Sequence, residues 1–281
     1  MQACYRHIPR SARDANILLT VGDIDQKSQR HFRTCLTYVA GPPCRSLILS
    51  VTSGRGEVLR CQGRMEKVSF DVDQVYCISL SERHDRRQLF RSTVATLISN
   101  PIEFFIAQRN SEPIRGCYES HQALARKVLA EGWQRVLIFE DDAKPYGLHP
   151  IQVRWVNRFI RRNRFEALHL GYSMGRTWLT WFPFIARGNV VALHAYILSR
   201  EGCRVLAQTP YVGVPVDVLF KRQIKQHCVF PMLFRQHAAA VTGSDIEARA
   251  VNEDEWWERN WKKHKRSVWK NLWRTLVRFR F

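Results

Sequence analysis

The sequence lacks the features that mark several common protein classes. Its 281 residues include no run of roughly 18 uncharged apolar residues, which a membrane-spanning helix needs. Residues 1–14 lack the apolar segment of a secretory signal peptide, so we expect a cytoplasmic protein. There is no G-x-G-x-x-G loop, no Walker phosphate loop and no G-x-S-x-G elbow, so dinucleotide-binding, ATP-binding and serine-hydrolase functions have no motif to support them.

Paired cysteines are also missing. The eight cysteines include no C-x-x-C pair, so their spacing predicts neither a disulfide framework nor a zinc knuckle. We expect all of them to be reduced thiols.

Acidic residues are scarce relative to basic ones. The chain has 25 acidic and 44 basic residues, which gives a formal net charge of +19. A charge of this size indicates a polyanionic partner such as nucleic acid, an anionic membrane surface or a phosphorylated substrate. Charge alone does not choose among the three.

Residues 1–70 and residues 71–252 have different patterns. The first segment is polar with isolated apolar patches, so we expect a weakly packed N-terminal extension of unknown role. From Val75 onward, short apolar runs alternate with helical stretches, which is typical of an α/β domain with a mostly parallel sheet. The predicted strands are Val75 to Leu80, Glu103 to Ala107, Arg135 to Phe139, Ala167 to Leu170 and Val191 to Leu198, and the predicted helices are Asp85 to Ser99, Ser120 to Gly132, Pro150 to Arg162, Ser199 to Gln208 and Val218 to Gln226.

Residues 253–281 form a third segment, which holds five of the nine tryptophans and no acidic residue after Glu258. A helix here would group Val268, Trp269 and Trp273 on one face beside a basic stripe. We predict a basic amphipathic helix on an anionic membrane surface. The alternative is a helix that packs its tryptophans onto the core of the α/β domain.

The most informative stretch is an apolar run, 135–139, that ends in Glu140, Asp141 and Asp142. Ligands of open α/β sheets bind at the carboxyl ends of strands, and three adjacent carboxylates repel one another unless a cation neutralises them. Carboxylate oxygens suit magnesium or manganese. Glu140 and Asp142 can face the metal together, with Asp141 turned away to bond the loop. A solvated acidic loop is the alternative.

Three further side chains are candidates for function. Arg86 follows the first strand, where a guanidinium suits uracil or phosphate oxygens, although it could equally belong to an exposed helical face. His121 is expected in the first turn of a helix as a neutral structural histidine. Asp217 lies in an apolar loop before a helix, where it could cap that helix or act as a base.

Seven motifs, taken together and in this order, resemble glycosyltransferase family 25, which contains lipopolysaccharide and lipooligosaccharide galactosyltransferases and collagen galactosyltransferases. They are V-Y-C-I-S-L at 75–80 with D-R-R at 85–87, G-C-Y-E-S-H at 116–121, L-I-F-E-D-D at 137–142, L-H-L-G at 168–171, A-Y-I-L-S-R-E-G at 195–202, P-V-D at 215–217 and S-D-I at 244–246. The chain departs from the family at Glu119, where a small or apolar residue is common, and at Cys203, where alanine is usual.

The resemblance implies an A-type glycosyltransferase fold, a UDP-sugar donor, usually UDP-galactose, and an inverting transfer to a lipopolysaccharide-type acceptor. It places manganese or magnesium on Glu140 and Asp142. For the donor we nominate Leu80, Arg86 and Asp141, and for the base Asp217. Collagen-type hydroxylysine transfer and a non-enzymatic nucleic-acid-binding protein are the alternatives, and we expect no nucleic-acid partner. The predicted location is the inner face of the membrane, as a peripheral protein.

Overall fold

A computed structural model of the chain describes residues 17–21, 33–38, 46–52, 58–64, 67–238, 241, 243 and 253–277. It divides into two units, residues 1–66 and residues 67–281.

The first unit contains a four-stranded antiparallel sheet in the order β1-β2-β3-β4. We expected a weakly packed extension in this segment and did not predict this sheet. Two of the apolar patches form strands in it, and each strand pairs antiparallel with the next strand along the chain. The strands are β1 Ile17–Val21, β2 Arg33–Tyr38, β3 Ser46–Thr52 and β4 Val58–Arg64.

The second unit is built on a ten-stranded mixed sheet. Strand β5 lies between β6 and β7 and is parallel to both. Strand β12 lies between β7 and β9 and is antiparallel to both, and β13 is parallel to β9. The predicted α/β fold with a mostly parallel sheet is confirmed. The strands are β5 Gln74–Leu80, β6 Ile102–Ala107, β7 Arg135–Glu140, β8 Ala143–Pro145, β9 Ala167–Gly171, β10 Met174–Leu179, β11 Ile185–Val191, β12 Ala195–Ser199, β13 Gln226–Val229 and β14 Phe234–Gln236.

Helices cover both faces of this sheet. Along β7, Leu137 and Phe139 pack in one core cluster, which includes side chains of α1 and α3, while Val136 and Ile138 pack in the other, which includes side chains of α2, α4 and α5. This alternation follows from the two-residue period of a strand. The helices are α1 His84–Ser92, α2 Pro113–Ala130, α3 Pro150–Arg162, α4 Arg200–Gln208, α5 Val216–Gln223, α6 Glu253–Lys270 and α7 Leu272–Val277.

The strand predicted from Val191 to Leu198 is two strands. β11 ends at Val191 and β12 begins at Ala195. Between them Ala192 has a φ of 70°, which a strand does not permit. The apolar run therefore turns a corner, and its two halves pair with different neighbours.

Helix α2 begins at Pro113, seven residues before the predicted N-cap at Ser120. Proline suits the first turn of a helix because its fixed φ is already helical. Inside the helix, Ser120 Oγ donates to the Gly116 carbonyl at 2.6 Å, so Ser120 is not an N-cap. A Cβ at Gly116 would lie 2.7 Å from Cβ of Asn110, so close packing accounts for this glycine. The first-turn position expected for His121 was therefore wrong.

Helix α6 packs tryptophans into the core, as the second of the two alternatives predicted. On α6, Trp257, Trp261 and Val268 are buried in a core cluster with Tyr172 and Phe230. Val268 was expected on the membrane-facing arc, but helix α6 packs against β10 and covers it. Trp269 of α6 and Trp273 of α7 are 60% and 55% exposed. Among the described helices, none is long and apolar enough to cross a membrane.

Replacing the buried Trp261 should destabilise the protein much more than replacing the exposed Trp269. Trp261 is 2% exposed, so Trp261→Ala removes packed aromatic surface and should lower the free energy of unfolding by about 3–5 kcal/mol. The matched control Trp269→Ala should change it by less than about 0.5 kcal/mol. Equilibrium urea denaturation measures both. Equal effects of the two substitutions would contradict this packing of α6.

Candidate active site

The acidic triplet lies at the carboxyl ends of two parallel strands. β5 and β7 pair in parallel, with Ile78 opposite Glu140. The next residues along each strand, Ser79 and Asp141, consequently lie side by side. Helix α1 begins four residues after β5 ends and brings basic side chains to the same edge. The location expected from the sequence is the observed one.

Asp141 is held by residues of β5 and α1. Its Oδ2 accepts a 2.7 Å hydrogen bond from Ser79 Oγ, and its Oδ1 accepts a 3.1 Å bond from Arg86. Burial raises the pKa of Asp141, while the bonds from Ser79 and Arg86 act in the opposite direction. Asp141 thus bonds to the neighbouring strand and helix, and not to the following loop as we expected.

Arg86 and Arg87 are both buried, so the alternative of an exposed helical face is wrong for these two residues. Arg86 Nη1 also lies 3.7 Å from Asp142 Oδ2, and its Nη2 donates to the Gly243 carbonyl. Arg87 donates to the Leu80 carbonyl and to the Ser81 carbonyl, so it holds the turn after β5. Arg86 therefore supplies part of the positive charge that the sequence argument assigned wholly to a metal.

Leu80 is the last residue of β5 and is partly exposed. Its carbonyl accepts a hydrogen bond from Arg87.

Asp142 carries a carboxylate oxygen that lacks compensation. Its Oδ2 accepts a 2.7 Å bond from Gln236 Nε2, but its buried Oδ1 has no hydrogen-bond partner among the described residues. Burial and then the charge of Glu140 raise the pKa of Asp142 to about 7. A positive ion at Oδ1 would offset both effects.

Glu140 remains ionised at neutral pH. Burial acts to raise its pKa, but His121, His194 and Arg86 together outweigh that effect and lower it. Its side chain is 26% exposed, so a ligand can reach it. An ionised Glu140 beside the uncompensated Oδ1 of Asp142 fits a hard divalent cation such as manganese or magnesium.

The structure also brings two residues to Glu140 that the sequence analysis did not connect with it. Ligand atoms of Cys117, His121 and Glu140 all lie within 4.8 Å of one another. The sequence signal was C-x-x-x-H, which places both side chains on one face of a helix. It was missed because the helix was predicted to begin at Ser120, which left Cys117 outside it.

Asp217 lies in the first turn of α5, whose N-cap is Pro215, so Asp217 is not the N-cap. Its Oδ2 accepts a long 3.4 Å bond from the backbone N–H of Ala192. Burial raises the pKa of Cys117, and the charges of Glu140 and Asp217 raise it further. Asp217 is therefore near the Glu140 group.

Two buried histidines behind the site are neutral. Burial lowers the pKa of His169 to about 3 and that of His194 to about 4. Neither ring has a hydrogen-bond partner among the described residues. The S-D-I motif at 244–246 lies outside the part of the chain that the structure describes.

Several solved structures resemble part of the chain at low identity. A glycosyltransferase involved in the glycosylation of the major capsid of PBCV-1 is 8% identical, with a TM-score of 0.37 over 62% of this chain and 100% of that chain. UDP-glucose pyrophosphorylase complexed with UDP-glucose is 8% identical, with a TM-score of 0.38 over 68% and 81%. A mannose-1-phosphate geranyltransferase from Thermus thermophilus is 10% identical, with a TM-score of 0.35 over 59% and 74%. No family model and no curated protein matches the chain.

Metal-free protein should lose stability as the Asp142 carboxyl ionises. The pKa of Asp142 is about 7 in the folded state and near 3.8 when unfolded, so the folded state binds more protons between these values. Stability from this group is therefore complete below pH 4 and declines as pH rises to 7, by at most about 4 kcal/mol. Asp142→Asn cannot titrate and should lack this decline.

The measurement is the free energy of unfolding of both proteins from pH 4 to 8 in a metal chelator. The wild type should lose stability relative to Asp142→Asn as pH rises. Parallel pH profiles would show that the pKa of Asp142 is not raised.

Proposed function

We propose that the chain is a sugar-nucleotide-dependent transferase that moves a sugar, galactose from UDP-galactose, with inversion to a lipopolysaccharide-type acceptor. The observation that carries the proposal is the convergence of Arg86, Asp142 and Asp217 at one sheet edge. They come from three motifs far apart in the chain. Arg86 lies 3.7 Å from Oδ2 of Asp142, and the other carboxylate oxygen of Asp142 has no hydrogen-bond partner among the described residues. If these motifs were unrelated surface segments, nothing would require them to lie at the same sheet edge.

Glu140 and Asp142 are the proposed ligands of manganese or magnesium. The bound ion would neutralise charge on the departing diphosphate. Asp142 is held for this role by Gln236, and Arg86 keeps Asp141 and Asp142 oriented. Because Arg86 and Asp141 form an ion pair with each other, we assign them to positioning the donor site. We assign the turn at Leu80 to direct donor contact.

Asp217 is the proposed general base for the acceptor hydroxyl. It lies near Glu140 and does not cap its helix, and its Oδ2 accepts a long hydrogen bond from the backbone N–H of Ala192. General-base assistance of this kind is typically worth about 10²- to 10⁴-fold in rate. Positioning and the metal therefore carry most of the acceleration.

The acceptor is proposed to be membrane-bound, which assigns the exposed side of α6 and α7 to the inner face of an anionic membrane. Trp269, Leu272 and Trp273 are exposed there. Each basic side chain near such a surface contributes roughly 1 kcal/mol of attraction. The exposed basic residues of α6 are Arg259, Lys262, Lys263, Lys265, Arg266 and Lys270.

Donor binding should depend on a divalent metal and on Asp142. Wild-type protein should bind UDP in manganese and lose most of that binding in a chelator, as measured by titration calorimetry. Asp142→Asn should lose the manganese-dependent binding, because the amide keeps the shape of the carboxylate but removes its charge.

Asp217→Asn should keep UDP binding while turnover falls by about 10²-fold or more.

The matched control is Glu201→Gln on α4, where the carboxylate pairs with Arg204 at the protein surface. It should behave as wild type in both measurements. Undiminished manganese-dependent UDP binding by Asp142→Asn would refute the metal assignment. Loss of UDP binding in Asp217→Asn would make Asp217 a donor contact or a structural residue.

Membrane binding should depend on the exposed aromatic residues of the C-terminal helices. The double variant Trp269→Ala/Trp273→Ala should bind anionic vesicles at least about tenfold more weakly, because each indole buries apolar surface at the interface. Ile151→Ala, which removes an exposed apolar side chain from α3, is the control. Vesicle co-sedimentation measures both, and binding that is unchanged in the double variant would place the membrane contact elsewhere.

A further inference from the structure

Helix α2 presents a soft pair of metal ligands to Glu140. Cys117 and His121 are four residues apart, so both side chains lie on the helix face that meets the end of β7. The ligand atoms of the three residues lie within 4.8 Å of one another. Thiolate, imidazole and carboxylate form the donor set that zinc prefers, and three protein ligands leave a fourth position open.

His121 is held in the orientation that metal binding requires. Its Nδ1 lies 2.7 Å from the buried Tyr196 hydroxyl, and the two rings are stacked with centroids 5.9 Å apart. The Nε2 atom then faces Glu140 Oε1 at 3.5 Å. Metal-binding histidines are commonly oriented through the ring nitrogen that does not touch the metal. Tyr196 fills that place here.

An ion can reach this group from solvent. Cys117 is partly exposed, and the Glu140 side chain is 26% exposed. The neighbouring charge of Asp217 adds a negative field that favours a cation. Of the three ligand residues, only His121 is buried, with 2% of its side chain exposed.

We propose that Cys117 Sγ, His121 Nε2 and the Glu140 carboxylate form a binding site for a thiophilic divalent cation of the zinc class. On binding, the S–H bond of Cys117 breaks, a bond from sulfur to the metal forms, and the proton passes to the buffer. Magnesium and manganese favour oxygen ligands and gain little from the thiolate. The site is therefore distinct in chemistry from the oxygen site at Glu140 and Asp142.

The two sites share Glu140. A zinc-class ion on Cys117 and His121 would occupy the carboxylate that the proposed manganese site needs. Binding of the zinc-class ion does not depend on the proposed transferase function, whereas competition between the two metals rests on it.

The test uses cobalt(II) as a spectroscopic probe on the full-length, reduced, chelator-treated protein. Cobalt should produce a thiolate-to-metal charge-transfer band and the visible bands of tetrahedral coordination, and zinc should remove both. Cys117→Ser and His121→Gln should each eliminate or strongly weaken the charge-transfer band. Tyr196→Phe should weaken binding by about 10- to 100-fold, since it removes the group that orients His121.

Cys203→Ala is the matched control, because it removes a buried thiol of α4 and should leave the bands unchanged. All variants keep the four cysteines of residues 1–66, so any signal from those thiols is common to every sample. Circular dichroism checks that each variant is folded. If Cys117→Ser fails to fold, His121→Gln and Glu140→Gln still test the site.

Bands of full intensity in folded His121→Gln, or no cobalt bands in the wild type, would overturn the proposal. Asp142→Asn separates this site from the proposed function. It should keep the cobalt bands while losing manganese-dependent UDP binding, so failure of one proposal does not imply failure of the other.

Discussion

Charge compensation at the end of β7 is the constraint on which the rest of the site depends. Three consecutive carboxylates end a buried strand, and their partners come from several elements. Asp141 is bound by Ser79 and Arg86, Asp142 by Gln236, and Glu140 faces His121. These partners belong to β5, α1, β14 and α2, so neutralising the triplet ties together elements from most of the second unit. Oδ1 of Asp142 has no such partner among the described residues. A positive ion would therefore be stabilised most at this atom.

The sheet topology determines how these partners reach the triplet. Parallel pairing of β5 with β7 brings the two strand ends together, and the pairing of β14 with β8 places Gln236 opposite Ala143, next to Asp142. The corner at Ala192 lets the chain leave β11 and return as β12, and its backbone N–H is the partner of Asp217. A backbone conformation that interrupts the sheet thereby helps to position a candidate base.

Glu140 has two possible sets of co-ligands with opposite chemistry. In the proposed transferase site Glu140 acts with Asp142 as an oxygen ligand of a hard ion, and in the proposed zinc-class site it acts with Cys117 and His121 as a ligand of a softer one. If both proposals hold, the two ions compete for one carboxylate. The hydrogen bond between Tyr196 and His121 would then favour the softer ion.

The sequence by itself determined the α/β alternation, the position of the acidic triplet after a strand and helix α3 to the residue, because each is encoded in local periodicity and charge. The start of α2 at Pro113 was missed, although proline suits the first turn of a helix, and the contact of Gly116 with Asn110 is seen only in the tertiary structure. The sequence could not show that Arg86 is buried against Asp141, or that Val268 is covered by the core while Trp269 is exposed. The pairing of Cys117 and His121 with Glu140 was likewise decided by tertiary structure. Strand order and helix packing bring together residues that are distant in the chain, and no local pattern carries that information.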